Sequence, residues 1–489
     1  MYKNQFIYLI FIVCLFFISI SVNFSKIKKH KLEYDEIYVL ARANAQSIHF
    51  FKNPHINLNQ IQPVKKIYEK LNFPKGQNLF ENYLQHLKKS HLISNHPPLN
   101  DLIAKIFVYQ QSDFIHMRFY SFASYIFLLL CFAFFLFNNR FQVCQILAIL
   151  GLYSSISLIS YQSIFPKSYS LITALFLLIL TFLQKYLKQK SLVNSLLLCF
   201  LINLCFFTHF LTLLFIPVLI AVVIWHYKKP NQRFLENIFK YKKELLFLFL
   251  NILIYIPFVH AFTDKTLNHF LQKSYLYILD SFFNSQYILY TFNFQKNIAL
   301  IFFLLIIFRI SRKKNFIKKN LYLQIVLAIS VSVLLLDLCL STNVSFSVRF
   351  FLIVLPLWTI VIYQIFNFSK NNIMFIVFLS FTLFSNYNYH FQQKYSINAL
   401  TNINISKAQK QELDLNKKTL IVINFFKPPE ISFIHHLVMK SLNLHPLKII
   451  NQDQFTKIDS VYFVQKKVFQ AIKEQKPKKL EEFDQIIET

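Results

Sequence analysis

Residues 119–137 read FYSFASYIFLLLCFAFFLF, nineteen consecutive residues without a charged side chain. A helix of about 20 apolar residues is long enough to cross the hydrocarbon core of a bilayer, so this run predicts a transmembrane helix. A second run at 6–22 reads FIYLIFIVCLFFISISV and has a similar length. No small-x-small cleavage site follows it, and we therefore expect an uncleaved anchor in place of a removed signal peptide.

The rest of the chain repeats such runs with short loops between them, which favours an α-helical polytopic membrane protein. Thr208 and His209 favour a break between the fifth and sixth runs, although these two runs could also form one long tilted helix. We predict eleven transmembrane helices, at 6–22, 119–137, 143–161, 169–184, 191–206, 210–226, 244–263, 297–308, 321–340, 346–366 and 372–388.

Composition excludes several other classes of protein. Charged residues make up 15% of the chain, whereas soluble domains have about 25%, so a soluble protein is not expected. The two glycines, Gly76 and Gly151, stand alone and leave neither a Walker A loop nor a dinucleotide-binding fingerprint. The cysteines have no zinc-site or disulfide spacing, and we predict no metal site from the motifs.

The net charge of +30 is explained by the orientation of the chain in the membrane and does not indicate a nucleic-acid partner. If the N-terminus is cytoplasmic, the short inside loops hold 17 Lys and Arg and the outside loops hold 5, as the positive-inside rule requires. Lys26, Lys28, Lys29 and Lys31 disagree, because they follow the first span on the outside. They lie in a long loop, and long loops translocate with little regard to charge.

This topology divides the chain into a membrane domain, 1–388, and an extracytoplasmic tail, 389–489. Within the first, 23–118 form a long first extracytoplasmic loop. The tail is richer in acidic residues and predicts a small α/β domain, because TLIVIN at 419–424 has the pattern of a buried strand. Further expected elements are a helix at 429–442 and strands at 447–450 and 460–464; the basic run 473–479 is interpreted as a solvated end.

Carboxylates are scarce outside the tail, and two adjacent ones, Asp35 and Glu36, follow the first span closely. In a soluble loop such a pair is usually a solvated surface feature. Near a bilayer, however, a carboxylate can reach a substrate carried by a lipid. Partial burial would raise its pKa toward that of a general base.

A second group of candidate residues lies before the second span. His96, Pro97 and Pro98 stop a helix, because proline cannot continue one. From Asn100 the apolar pattern resumes and predicts a helix lying on the membrane. Plain loop punctuation is the alternative reading of the two prolines.

Isolated cations stand at the predicted outer ends of several spans. They are Arg118, Lys167 followed by Tyr169, His209 and Arg349. Each alone could be a snorkelling anchor, but together they suit a phosphate or pyrophosphate held at the outer surface. Asp337 is an acid in the interior of a predicted span, whereas Glu244 is the first residue of one, and Asp337 is either a functional residue or a structural partner of a neighbouring helix.

The order of these motifs resembles the GT-C type membrane glycosyltransferases, and most closely the protein O-mannosyltransferase and aminoarabinose transferase group. The resemblance covers about residues 5–388. Two positions depart from the pattern of that group, because Lys167 stands in place of Arg and Phe350 in place of Tyr. The matching motifs are Asp35-Glu36, His96-Pro97-Pro98-Leu99, Arg118, Lys167-Ser168-Tyr169, Thr208-His209 and Arg349 with Pro356.

The resemblance implies a sugar donor on a polyprenyl phosphate and a glycan, lipid or protein acceptor on the extracytoplasmic side. It implies Asp35 as the general base and Glu36 as a residue that positions the acceptor or tunes Asp35. Arg118, Lys167 and Arg349 would hold the donor phosphate. The location would be the bacterial inner membrane or the endoplasmic reticulum, with the site facing the periplasm or the lumen. The lipid-phosphate sugar would be a co-substrate, and participation of a divalent metal is left open.

Two alternatives remain open, namely a lipid-linked glycan flippase or transporter and a non-catalytic scaffold. A transporter is expected to have charged residues at mid-membrane or helices broken by glycine and proline. The predicted spans hold one glycine, Gly151, and few prolines, so transport is the less favoured reading.

Overall fold

The computed structural model describes residues 2–29, 36, 39–40, 61–66, 68, 99–108, 114–209, 212–227, 320–340, 352–367, 380, 413–423, 434, 437–444, 454 and 456–488. This part of the chain is mostly helical. Among the predicted spans, 244–263, 297–308 and all of 372–388 except residue 380 lie outside it.

The helices agree with a helical membrane protein. Three are long and apolar enough to cross a membrane, namely Ile10–Lys28 within the first helix, Phe114–Asn138 and Tyr169–Lys188. Shorter apolar helices lie at other predicted spans, and the total of eleven stays a prediction. In chain order the helices are α1 (Tyr2–Lys29), α2 (Leu99–Val108), α3 (Phe114–Asn138), α4 (Val143–Ser155), α5 (Ser157–Gln162), α6 (Tyr169–Lys188), α7 (Leu192–Thr208), α8 (Thr212–His226), α9 (Leu321–Leu340), α10 (Leu355–Asn367) and α11 (Lys466–Gln475).

The predicted break at Thr208 and His209 is confirmed. Helix α7 ends at Thr208, and His209 has an extended backbone with φ −161° and ψ 135°. Helix α8 begins at Thr212, whose hydroxyl donates to the His209 carbonyl at 2.6 Å. The two apolar runs are therefore separate helices.

The predicted span at 143–161 is not one continuous helix, because Ile156 interrupts it with an extended backbone of φ −68° and ψ 126°. The hydroxyls of Ser154 and Ser155, just before the break, donate to the carbonyls of Gly151 and Leu152, three residues earlier. Such local bonds compete with the helical ladder, which explains why the helix stops inside an apolar run.

The chain divides into two compact units, and the division differs from the expected one at residue 388. The first unit comprises Met1–Ser25, Asn95–Asn100 and Ser121–Gln393. The second comprises Lys26–Ser94, Asp101–Tyr120 and Lys394–Thr489, so the tail groups with the first outer loop. The two segments share one sheet and one hydrophobic core, both of which belong to the second unit.

The sheet has four strands, β1 (Gln62–Pro63), β2 (Thr419–Ile423), β3 (Val461–Gln465) and β4 (Gln485–Glu488), in the order β1-β3-β2-β4. Strands β3, β2 and β4 are parallel, and β1 from the outer loop pairs with β3 antiparallel. The strands expected at 419–424 and 460–464 are thus confirmed within one residue.

The rest of the tail was predicted less well. Residues 434 and 437–441 are helical, inside the predicted helix 429–442, while 447–450 lie outside the described residues. The run 473–479 is solvated as expected, since all of it except Lys479 is exposed, but it is not an end of the fold. This run completes α11 and a short 3₁₀ turn, Pro477–Lys479, and β4 follows it, so it belongs to a β-α-β connection.

Strand β2 is covered on both faces, which explains why its sequence TLIVI is apolar throughout. Ile421 and Ile423 pack in the core that α2 and the first turns of α3 share with the sheet. Leu420 and Val422 pack against α11 on the opposite face. The second unit is therefore an α/β domain with helices on both sides of its sheet.

Candidate functional site

A buried ion pair joins Glu36 to Arg118 in the second unit. The Arg118 Nε donates to Glu36 Oε1 at 2.5 Å, and Nη2 donates to Oε2 at 2.7 Å. The two side chains are 0% and 2% exposed, for Arg118 and Glu36 respectively. The contact is a two-point fork between a planar guanidinium and a carboxylate, which fixes direction as well as distance.

The third Arg118 nitrogen, Nη1, donates to the Ile27 carbonyl at 2.9 Å. Ile27 lies in the last turn of α1, where helix carbonyls have no partner within the helix. Arg118 itself lies in the second turn of α3. One guanidinium therefore ties together the end of α1, the segment that carries Glu36 and the beginning of α3.

This arrangement differs from the expected role of Arg118 at a donor phosphate. A fully buried guanidinium that holds a carboxylate with two nitrogens and a carbonyl with the third does not present its fork to a ligand. Sequence reasoning could not find this pair, because 82 positions separate the two residues.

Helix α2 packs Ala104 and Val108 in the core, exposes two large apolar side chains and buries two charged ones. Ile106 and Phe107 are 58% and 37% exposed, whereas Asp101 and Lys105 are 1% and 0% exposed. The helix expected from Asn100 onward is confirmed as Leu99–Val108, and its position on the membrane stays a prediction. Sequence reasoning did not single out Asp101 and Lys105. Their i, i+4 spacing, which places them on one side of the helix, was the available signal.

Burial lowers the pKa of Lys105 to about 8, because the charged ammonium is disfavoured away from water. The native amine then loses its proton near pH 8 and the unfolded amine near pH 10.5. Between these values the native state binds fewer protons, so the free energy of unfolding should rise with pH across this window.

We therefore expect Lys105→Met to remove about 1 to 3 kcal/mol of pH-dependent stability between pH 7 and pH 10.5. The measurement is urea unfolding of wild type and variant at several pH values, with protease cleavage of the second unit as the signal of unfolding. Lys467→Met, at an exposed position, is the control and should keep the wild-type slope. If the free energy of unfolding of Lys105→Met rises with pH as steeply as that of the wild type, the pH dependence does not come from Lys105.

Two of the predicted residues, Tyr169 and His209, are in contact in the first unit. The rings of Tyr169 and His209 are 5.8 Å apart and tilted by 36°, and both side chains are buried. Lys167 stands two residues before Tyr169, and its ammonium lies 5.4 Å from the centre of the Phe165 ring. The structure thus brings the end of α7 beside the beginning of α6.

A polar network that the sequence did not reveal holds α1 in the first unit. The Asn23 amide donates to the Tyr125 hydroxyl at 3.3 Å and to the Ser154 carbonyl at 3.4 Å, and its oxygen accepts from Ser160. All four residues are buried. The network fixes α1 against α3 and against the α4–α5 break.

Several predicted site residues lie outside the described part of the chain: Asp35, His96, Pro97, Pro98 and Arg349. Their proposed roles stay predictions. Asp337 lies in α9, but its side chain is not described. Among the described residues, no group of three His, Cys, Asp or Glu side chains is placed to hold a metal ion.

Comparison with known proteins gives no assignment. No protein-family model matches the chain, and no curated protein matches it. The resemblance to the GT-C group therefore rests on the motifs alone.

Proposed function

We propose that the protein is an integral membrane glycosyltransferase that moves a sugar from a polyprenyl-phosphate donor to an acceptor hydroxyl on the extracytoplasmic side. The observation that carries the proposal is the buried pair of Glu36 and Arg118. Asp35, the proposed base, directly precedes Glu36 in the sequence, and Glu36 is held at two points by Arg118. Fixed placement of a base before reaction is a large part of enzymatic rate enhancement.

The chemistry needs one base and a leaving group. The Asp35 carboxylate takes the proton of the acceptor hydroxyl, whose oxygen forms a bond to the anomeric carbon. The bond between that carbon and the phosphate oxygen breaks, and the polyprenyl phosphate departs with the electron pair. Attack from the face opposite the phosphate inverts the configuration of the sugar.

In this proposal Arg118 is a positioning residue and not a phosphate ligand. Lys167 and Arg349 are proposed to bind the donor phosphate, and Tyr169 and His209 are proposed to line the phosphate site. The contact between Tyr169 and His209, next to Lys167, supports this assignment. A cation near the departing phosphate stabilises the charge that develops there.

We expect Lys167→Ala to lower kcat/KM for the donor roughly 10- to 100-fold, the effect of losing one charge-assisted hydrogen bond. Lys167→Arg should keep most activity, because a guanidinium also binds phosphate. Lys190→Ala, on an exposed lysine beyond the other end of α6, is the matched control. Equal rates for Lys167→Ala and the control would remove Lys167 from the site.

One observation favours the transporter alternative, namely the break at Ile156 beside the buried Asn23 network. Broken helices and buried polar groups in spans are typical of transporters. Proteoliposomes that contain a fluorescent polyprenyl phosphate separate the two functions. A transporter moves the lipid between leaflets without any sugar acceptor, and a transferase does not.

The experiment that tests the proposal in the cell is a glycan and glycolipid profile of a strain that lacks the gene. We expect one glycosylated product to disappear and its sugar-bearing polyprenyl phosphate to accumulate. An unchanged profile of both would contradict the proposal, and the missing product would name the sugar and the acceptor.

A further inference from the structure

Charges in the last part of the second unit are separated along the chain. Residues 466–479 contain six lysines and one acid, Glu474, whereas 481–488 contain four acids and no lysine. Such separation is unusual for a solvated surface, where both signs are normally interspersed.

The lysines lie on α11 and on the 3₁₀ turn that follows it, and none of them is buried. Helix α11 buries Val468, Phe469 and Ile472 against the sheet, so its opposite side faces solvent. Four of the six lysines are exposed and two are half-buried. We call this surface the basic face; it consists of Lys466, Lys467, Lys473, Lys476, Lys478 and Lys479.

Two of the acids that follow the lysines contact another lysine. Glu482 accepts from the Lys418 ammonium at 3.2 Å, and Asp484 accepts from the Lys418 backbone amide at 2.8 Å. The Lys418 ammonium also lies 5.0 Å from the centre of the Phe483 ring. Two of the four acids thus belong to a contact at the beginning of β2.

The same unit contains the lysines that break the positive-inside rule. Residues 26–29 of α1 belong to the second unit and include Lys26, Lys28 and Lys29, of which Lys28 is exposed. Residues 114–120 of α3 belong to it too. Both stretches belong to helices that are long and apolar enough to cross a membrane, Ile10–Lys28 and Phe114–Asn138.

We propose that the basic face docks on anionic phospholipid headgroups of the outer leaflet of the membrane that contains the chain. The phosphate groups match the charge of the face, and each lysine near an anionic bilayer contributes to binding. Because α11 has already buried its apolar side in the protein core, the contact is electrostatic and does not insert into the lipid. The proposal does not depend on the glycosyltransferase activity.

The test uses the full chain in nanodiscs, with a fluorescent amino acid at the exposed position Gln470 of α11 and an acceptor dye on the lipid headgroups. Energy transfer should rise when phosphatidylglycerol is added to phosphatidylcholine, and it should fall at high salt, because ions screen exposed charges. Failure of the proposed enzyme activity leaves this signal unaffected, so the two proposals fail separately.

The variants locate the effect. In Lys467→Gln/Lys473→Gln/Lys476→Gln the docking constant should fall on the order of fivefold for each lysine. Lys417→Gln/Lys440→Gln/Lys457→Gln removes the same charge from exposed sites of the same unit and should keep the docking. The proposal would be overturned if energy transfer did not change on addition of phosphatidylglycerol, or if the docking constant fell equally in both triple variants.

A soluble polyanion supplies one more outcome. Polygalacturonate added to phosphatidylcholine nanodiscs should not protect 466–479 from proteolysis. If it protects them while phosphatidylglycerol has no effect, the face recognises an acidic glycan and the lipid proposal is wrong.

Discussion

Arg118→Met should destabilise the second unit by about 3 to 5 kcal/mol, because it leaves the Glu36 carboxylate buried without its partner. The substitution also frees the Ile27 carbonyl at the end of α1. We expect the loss to appear as a lower urea midpoint for protease cleavage of the tail. Arg118→Lys keeps the charge without the fork and should have an intermediate effect.

The double variant Glu36→Leu/Arg118→Met separates stability from placement of the base. Replacing a buried ion pair with apolar side chains often restores stability, so this protein should unfold near the wild-type midpoint. Transfer should stay low, with kcat reduced more than KM, because the two-point contact next to Asp35 is gone. A stable Arg118→Met variant, within 1 kcal/mol of wild type, would show that the pair is not structural.

Asp35→Asn should reduce transfer by about 10²- to 10⁴-fold, because the amide cannot accept the proton of the acceptor hydroxyl. The side chain keeps its size, so expression and unfolding should not change. The measurement is rescue of the missing glycan in the deletion strain. Glu481→Gln, on an exposed acid of the tail, is the control and should rescue fully. Full rescue by Asp35→Asn would remove Asp35 from the mechanism.

The fold was predictable where local pattern decides structure. The polar Thr208 and His209 between two apolar runs marked a helix break, and the β-branched run at 419–424 marked a central strand. Ile156 was not predictable, because the apolar run passes through it and the serine bonds before it depend on the folded backbone. Strand β1, with two residues, is too short to leave a pattern.

The candidate site was predictable as a set of residue types and not as a set of contacts. The sequence points to both Glu36 and Arg118, but it predicts that Glu36 positions the acceptor or tunes Asp35 and that Arg118 holds the donor phosphate. Their pairing depends on tertiary structure, since nothing in either local sequence specifies a partner 82 positions away. The same holds for the inward charges of α2, whose burial follows from packing against the tail sheet.

The most direct test of the glycosyltransferase proposal is release of polyprenyl phosphate by the purified chain. Nanodiscs that contain the protein and polyprenol lipids from the native membrane are incubated with native acceptor extract, and lipids and products are followed by mass spectrometry. The proposal predicts that sugar-bearing polyprenyl phosphate falls as free polyprenyl phosphate and a new inverted glycoside rise in equal amounts, and that Asp35→Asn stops all three changes. Unchanged polyprenol lipids with the wild-type protein, or the same turnover with Asp35→Asn, would contradict it.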